Sequence, residues 1–378
     1  MSEKGGRRAG GTLNHRRRVR GVVSGESQAV PGESEFVFEL CVCQWAERAW
    51  PPCGSRDDGT VSVVARQLGT KHRRWDTVVV ECDPEGLARR ANFGERELDS
   101  DLLHVVRNAP AEWAWYRDAL PDPGYPWRYV RAAVHRAADR GLVERRRRDN
   151  RIQLRRKWDY PAWVERVVAI ENKPDLDASA ARDLAPQLQR DVALGLADEV
   201  WVATVATADG VEPALLEDLP VEAGILTVDA DGRADVAWHP RTLAVDDPGT
   251  RILDRPGGGD RDASAARFEY ADVDWKRDKR AVIAERAYGR GWRDYAGAMR
   301  PDCRHFRLTD TRAGFLPSCS AKGCHQSAAE CAGSCPEFEP EPPAWRTKGW
   351  PVEGGPGAAI ERLLARQRRR HRPGLEAD

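Results

Sequence analysis

The chain has no apolar run approaching the roughly 20 residues that a membrane helix needs, and residues 1–34 lack the apolar middle of a signal peptide. A cytoplasmic protein with no membrane partner is therefore expected. Net charge is also missing: Lys+Arg and Asp+Glu stand at 60 each, so only local clusters can argue for a partner. Lysine is scarce, with 8 residues, and nearly all basic charge is arginine, whose guanidinium grips phosphate and carboxylate bidentately. No internal repeat is present. What the chain does have is 378 residues, 41% of them hydrophobic, with 14 Trp, which excludes a wholly disordered chain and suffices for two or three domains.

Residues 1–34 are rich in Gly, Ser and Arg, with the run His15 to Arg18, and read as a basic tail. From Glu35 to Trp50 the pattern reads as a helix closed by Pro51 and Pro52, with a strand at its start as the alternative. Thr60 to Gln67 and Trp75 to Cys82, the latter WDTVVVEC, read as strands, the second buried on both faces. Residues 98–160 change character: helices over Asp101 to Asn108, Glu112 to Ala119 and Trp127 to Arg140 precede GLVERRRRDNRIQLRRKW, whose Asp149-Asn150 pair predicts a hairpin turn. That order is the order of a winged helix-turn-helix. The α/β pattern resumes over residues 161–245, with strands at Val164 to Glu171, Val200 to Val205, Gly224 to Val228 and Ala234 to Trp238, and a helix from Asp177 to Leu196. Residues 246–270 read as a linker, 271–345 as a basic helix with a cysteine-rich metal-binding module, and 346–378 as a helix over Pro356 to Arg370 with a basic tail.

Asp76 begins one buried strand and Glu171-Asn172-Lys173 ends another, the pattern D…ExK. Two carboxylates meeting at neighbouring strand ends suit a hard ion such as Mg²⁺ or Mn²⁺, and the Asn172 carbonyl offers a further oxygen. Lys173 would orient the attacking water or stabilise the charge of the transition state. Glu39 on the first helix is placed as an accessory acid. An acid two residues before a lysine occurs twice, at Asp274 to Lys276 and at Glu171 to Lys173. Only the second ends an apolar run, VERVVAIE, and only it follows a strand that bears an acid.

This arrangement resembles the restriction-endonuclease-like PD-(D/E)xK superfamily, in which a helix bearing Glu precedes a strand with Asp, then ExK, then a helix often carrying Gln. The resemblance implies a mixed sheet, metal-dependent cleavage of DNA, and roles for Glu39, Asp76, Glu171, Lys173 and Gln187. It covers residues 35–93 and 160–240. Trp75 stands where the pattern has Pro, and the interval from Asp76 to Glu171 requires an inserted domain. The whole chain also resembles a family found in salt-loving archaea to which no activity attaches.

If residues 98–160 are a winged helix, Trp127 to Arg140 is the recognition helix, offering Arg128, Arg131 and His135 to a major groove while Val130, Val134 and Ala137 pack inward. The hairpin offers Arg145, Arg146, Arg147, Arg148, Arg151, Arg155 and Arg156 to DNA phosphates. A solvated charged face, or a module that contacts another protein, is the alternative. Farther on, Cys303, Cys319, Cys324, Cys331 and Cys335 crowd one short segment with His305 and His325. A tetrahedral site from Cys303, Cys319, Cys331 and Cys335, with Cys324 or His325 as alternates, would supply the folding energy such a segment lacks. Zn²⁺ is the first choice there and a 4Fe-4S cluster the second.

Overall fold

The computed structural model describes residues 35–52, 61–71, 73–207, 215–229, 231–254, 267–298, 303–311, 314–326 and 334–340, with residues 211, 331, 362, 363 and 366. The basic tail, Cys53 and most of the expected C-terminal helix lie outside them. In chain order the elements begin α1 (Glu35–Ala49), β1 (Val61–Gly69), β2 (Arg74–Cys82) and α2 (Pro84–Arg90). An inserted unit follows: α3 (Ser100–Asn108), β3 (Ala114–Trp115), α4 (Tyr116–Ala119), α5 (Trp127–Asp139), β4 (Val143–Arg148) and β5 (Arg151–Arg156). The main body resumes with β6 (Val164–Asn172), α6 (Ala178–Leu194), β7 (Glu199–Val205), α7 (Leu215–Asp218), β8 (Gly224–Val228) and β9 (Ala234–Trp238). Then come β10 (Gly249–Asp254), β11 (Arg267–Ala271), α8 (Val273–Arg290), β12 (Phe306–Thr311), β13 (Gly314–Cys319) and β14 (Cys324–His325).

The protein is a mixed α/β structure built on a six-stranded sheet of order β1-β2-β6-β7-β8-β9. β1, β2 and β6 run antiparallel, whereas β6, β7 and β8 are parallel. The parallel step from β6 to β7 needs a crossover, and α6 supplies it. The central strands are continuous apolar runs because both their faces are covered. On one face Val78, Val80, Val167 and Ala169 pack with Leu184 and Leu188 of α6 and with Ile283 and Ala287 of α8. On the other, Val79, Val168 and Ile170 pack with Phe38 and Val42 of α1. α1 buries Val37, Phe38, Glu39 and Leu40 in succession, more than one helical stripe requires. The reason is that Trp292, Tyr295, Phe306 and Leu316 close over it from the far side in the same core.

The inserted unit has its own core, in which Leu102, Leu103 and Val106 of α3 meet Val130, Val134 and Ala137 of α5 and Leu154 of β5. Its strands form a sheet of order β3-β5-β4. The expected helix over Glu112 to Ala119 is instead a short strand followed by one turn of helix, because Ala114 and Trp115 pair with Leu154 and Gln153. The tip of the β4–β5 hairpin is as expected: Asp149 and Asn150 take φ of 49° and 59°, the pair of left-handed residues of a two-residue type I′ turn.

A buried ion pair ties the insert to the body. Arg90 Nε and Nη2 of α2 donate to Oε1 and Oε2 of Glu285 of α8, each at 2.6 Å, and both side chains are fully buried. The same carboxylate accepts from the Leu98 backbone N–H and the Tyr160 hydroxyl, at the two ends of the insert.

The linker reading of residues 246–270 is corrected over Gly249–Asp254 and Arg267–Ala271, which pair as an antiparallel ribbon. Polar composition hid it, since the ribbon is held from outside: a Cβ at Gly249 would lie 2.0 Å from the Leu194 carbonyl oxygen, so glycine alone lets β10 dock on the end of α6.

Candidate functional site

The carboxylates stand at the end of the sheet where β1, β2 and β6 lie side by side. Thr77 pairs with Ile170, and one step further in the same register sets Asp76 opposite Glu171. Arg66 pairs with Thr77 and Leu68 with Trp75, so Gln67 falls opposite Asp76 on the other side. Gln67, Asp76 and Glu171 thus form one row across three strands. Gln67 has φ of 54°, uncommon outside glycine, and its amide donates both to Oε1 of Glu39 at 3.0 Å and to Oδ1 of Asp76 at 3.2 Å. It thereby joins the α1 carboxylate to the β2 carboxylate. Glu39 also takes Arg66 Nε at 3.0 Å and Nη2 at 2.8 Å, and Asp76 Oδ2 accepts the Asn172 backbone N–H at 3.0 Å.

Glu171 is 4% exposed and its Oε1 accepts from Arg73 Nη2 at 2.6 Å. Arg73 also donates from Nη2 to Oδ2 of Asp191 at 2.8 Å, with Asp191 buried on α6. Burial, then the charge of Asp76, pushes the Glu171 carboxyl up to about 8, against the opposing pull of Arg73. Burial likewise raises Glu39 and Asp191, with Arg66 and Arg73 respectively opposing. Asp76 contributes to the shifts of both Glu39 and Glu171, so its charge is felt at both neighbours.

Of the five residues singled out from the sequence, the structure gathers Glu39, Asp76 and Glu171. Lys173 lies two residues past Glu171, but its Nζ donates to Oε1 of Glu35 at 2.8 Å. That bond raises its pKa most, with Asp76 and Glu171 adding to the rise. Gln187 is half-buried on α6, one turn before Asp191. Sequence reasoning missed Gln67, Arg73 and Asp191. Asp191 did leave a signal, because it continues the apolar stripe Leu184, Leu188 of α6, and an acid on such a stripe requires a partner.

In the insert, α5 turns Arg128 and Arg131 to solvent, with His135 half-buried. Arg146 and Arg155 lie over the Trp113 ring at 4.3 and 4.9 Å, and Arg151 over Trp115 at 4.7 Å. Arg155 is paired with Glu144, Arg145 with Asp139, Arg148 with Asp149 and Arg156 with Asp159. Among the described residues Arg146, Arg147, Arg151, Arg128 and Arg131 make no ion pair with a carboxylate.

Cys303, Cys319, Cys331 and Cys335 line one cavity of about 10 Å³, together with Phe306 and Phe338. Cys324 is exposed and does not line it, and His305 contacts Glu339 and Ser320 instead. Among the described residues no group of three or more His, Cys, Asp or Glu side chains is drawn together tightly enough to hold a metal ion. No described helix is long and apolar enough to cross a membrane.

Residues 63–340 match a protein-family model described as a family of unknown function (DUF5787). No curated protein and no solved structure matches the chain.

Proposed function

The chain belongs to DUF5787, and from its geometry we propose that it is a divalent-metal-dependent DNA nuclease of the PD-(D/E)xK type, with residues 98–160 acting as a DNA-binding winged helix. The observation that carries this reading is the row formed by Asp76 and Glu171 on adjacent strands, with Glu39 reaching the same end of the sheet from α1. A helix with Glu, a strand with Asp, a strand ending in ExK and a helix with Gln follow in the order of the resemblance.

Two neighbouring acids, Asp76 and Glu171, with Glu171 raised to about 8 by burial and by the charge of Asp76, would suit a hard dication, whose charge would offset their repulsion. Asp76 and Glu171 would hold the ion, and Asn172 stands beside them. When bound, such an ion polarises a phosphoryl oxygen and lowers the pKa of water. Lys173, released from Glu35, would place its ammonium against the developing phosphate charge. Arg73 would hold Glu171 in position from the side of α6.

Exposed arginines on α5 and on the β4–β5 hairpin support DNA as partner, with Arg146, Arg147 and Arg151 taking phosphates and Arg128, Arg131 and His135 approaching base edges. The four cysteines around one small cavity support thiolate binding there, with Zn²⁺ the first choice and a 4Fe-4S cluster the second.

The test is cleavage of labelled duplex, single-stranded and forked DNA with Mg²⁺ or Mn²⁺, with wild type beside Asp76→Ala and Lys173→Ala. Loss of cleavage in both variants with binding retained is the expected result, and cleavage that persists in both would remove this site from consideration. One observation favours a second reading, a catalytically silent nuclease fold that binds DNA: Arg73 already lies on Glu171, and Lys173 on Glu35. DNA binding without cleavage by wild type, under every metal, would establish that reading.

A further inference from the structure

A second pocket lies behind the carboxylate row and is built from unlike parts of the chain. Its cavity of about 380 Å³ is walled by the end of β1, by α6, by β10 and by α8, and it is open on one side. Six of its lining side chains are cationic, Lys71, Arg73, Arg190, Arg251, Lys279 and Arg286, against one carboxylate, Asp191. Within the fold Arg73 is matched by Glu171 and Asp191, and Arg251 by Glu269. The other four make no ion pair among the described residues. The Nε hydrogens of Arg190 and Arg251 are buried with no acceptor. Among the described residues Arg286 donates to the Gly69 carbonyl oxygen alone, at 3.0 Å, and burial together with nearby Arg290 pushes its pKa down.

Four cations with no ion pair among the described residues share one cavity with a single carboxylate, and their mutual repulsion would be relieved by a bound anion. The cavity is also not a bare charge cluster. Trp275 forms part of its wall, with Arg251 at 4.5 Å and Lys279 at 5.7 Å from the ring, and Leu194, Val282 and Ile283 give it an apolar side. A ligand that satisfies both walls carries several phosphate charges or a terminal dianionic phosphate, joined to a flat, partly apolar group. We propose that this pocket binds the phosphate and adjoining base of a nucleotide, either free or at the end of a nucleic-acid strand. The pocket touches the carboxylate row through Arg73 and Asp191, yet the inference does not depend on cleavage occurring there.

The experiment is calorimetric titration of the full chain at low salt with dATP, with pyrophosphate, and with one short single-stranded oligonucleotide carrying either a 5′-phosphate or a 5′-hydroxyl. Lys71→Ala/Lys279→Ala is the variant, because neither side chain donates a hydrogen bond to another described residue; unchanged circular dichroism and melting temperature confirm its fold. The expected result is binding of at least one nucleotide probe that weakens about a hundredfold in the variant, roughly tenfold per cation removed. Binding of dATP beyond that of pyrophosphate identifies a free nucleotide; preference for the 5′-phosphorylated strand over its 5′-hydroxyl twin identifies a strand end. No binding of any nucleotide probe, or binding that the double substitution leaves unchanged, overturns the proposal. Neither substitution touches Asp76, Lys173 or the hairpin, so failure here is separate from failure of the nuclease reading.

Discussion

Arg73 Nη2 meets Glu171 Oε1 at 2.6 Å, and the same guanidinium reaches Asp191, so one cation from the β1–β2 connection bridges two buried acidic side chains from β6 and α6. Removing it strands both. Arg73→Ala is expected to cost about 3–5 kcal/mol, the usual penalty for breaking a buried pair, as read by urea unfolding. In that variant Mn²⁺ is expected to raise the melting temperature more than in wild type, because the ion takes over the role of the guanidinium. An equal response in both proteins would show that no cation site lies there.

The position of Glu171 also sets a pH dependence. Its carboxyl is raised from the ordinary 4.5 to about 8, so the folded state holds that proton more tightly than the unfolded chain does. The resulting stabilisation is complete below about 4.5 and is lost as pH rises through about 8. Glu171→Gln should flatten this slope, measured as urea midpoints across that window. Parallel curves for wild type and variant would remove the shift.

Glu285 is predicted to be the residue whose loss most damages the join between insert and body. Glu285→Ala leaves Arg90 charged and fully buried and removes the acceptor of the Leu98 amide and the Tyr160 hydroxyl. A loss of about 3–5 kcal/mol is expected. Limited proteolysis should cut first between Arg96 and Leu98 or near Tyr160. Cleavage at wild-type rates would place the anchor elsewhere.

If the hairpin binds DNA phosphates, Arg146→Ala, Arg147→Ala and Arg151→Ala should each lower the slope of log affinity against log salt by about 1. Arg155→Ala should change it less, because Glu144 already accepts from that guanidinium. Fluorescence anisotropy at several salt concentrations measures both.

For the cysteines, Cys331→Ser should abolish bound zinc and Cys324→Ser should leave about one ion per chain, as counted by elemental analysis. Equal loss in both variants would return Cys324 to the ligand set.

The main elements were legible because their signals are local. The apolar runs of β2 and β6, the stripe of α6 and the Asp149-Asn150 turn each follow from neighbouring residues. The β10–β11 ribbon and the short β3 were not legible, because their pairing partners and docking surfaces come from elsewhere in the chain. At the candidate site, Asp76 and Glu171 stood out as acids bounding apolar runs. Arg73 did not, since an arginine in a basic loop looks like any other until the fold places two carboxylates beside it.

By itself, then, the sequence determined the central strands and the longer helices, which acids interrupt apolar runs, and where arginine and cysteine concentrate, because backbone propensity and side-chain periodicity act over a few residues. Only the tertiary structure decided which charges meet: that Gln67 joins Glu39 to Asp76, that Arg73 lies on Glu171, that Lys173 turns to Glu35, and that six cations from distant segments face one cavity. Electrostatic interaction depends on separation in space and on burial, and neither is set by distance along the chain.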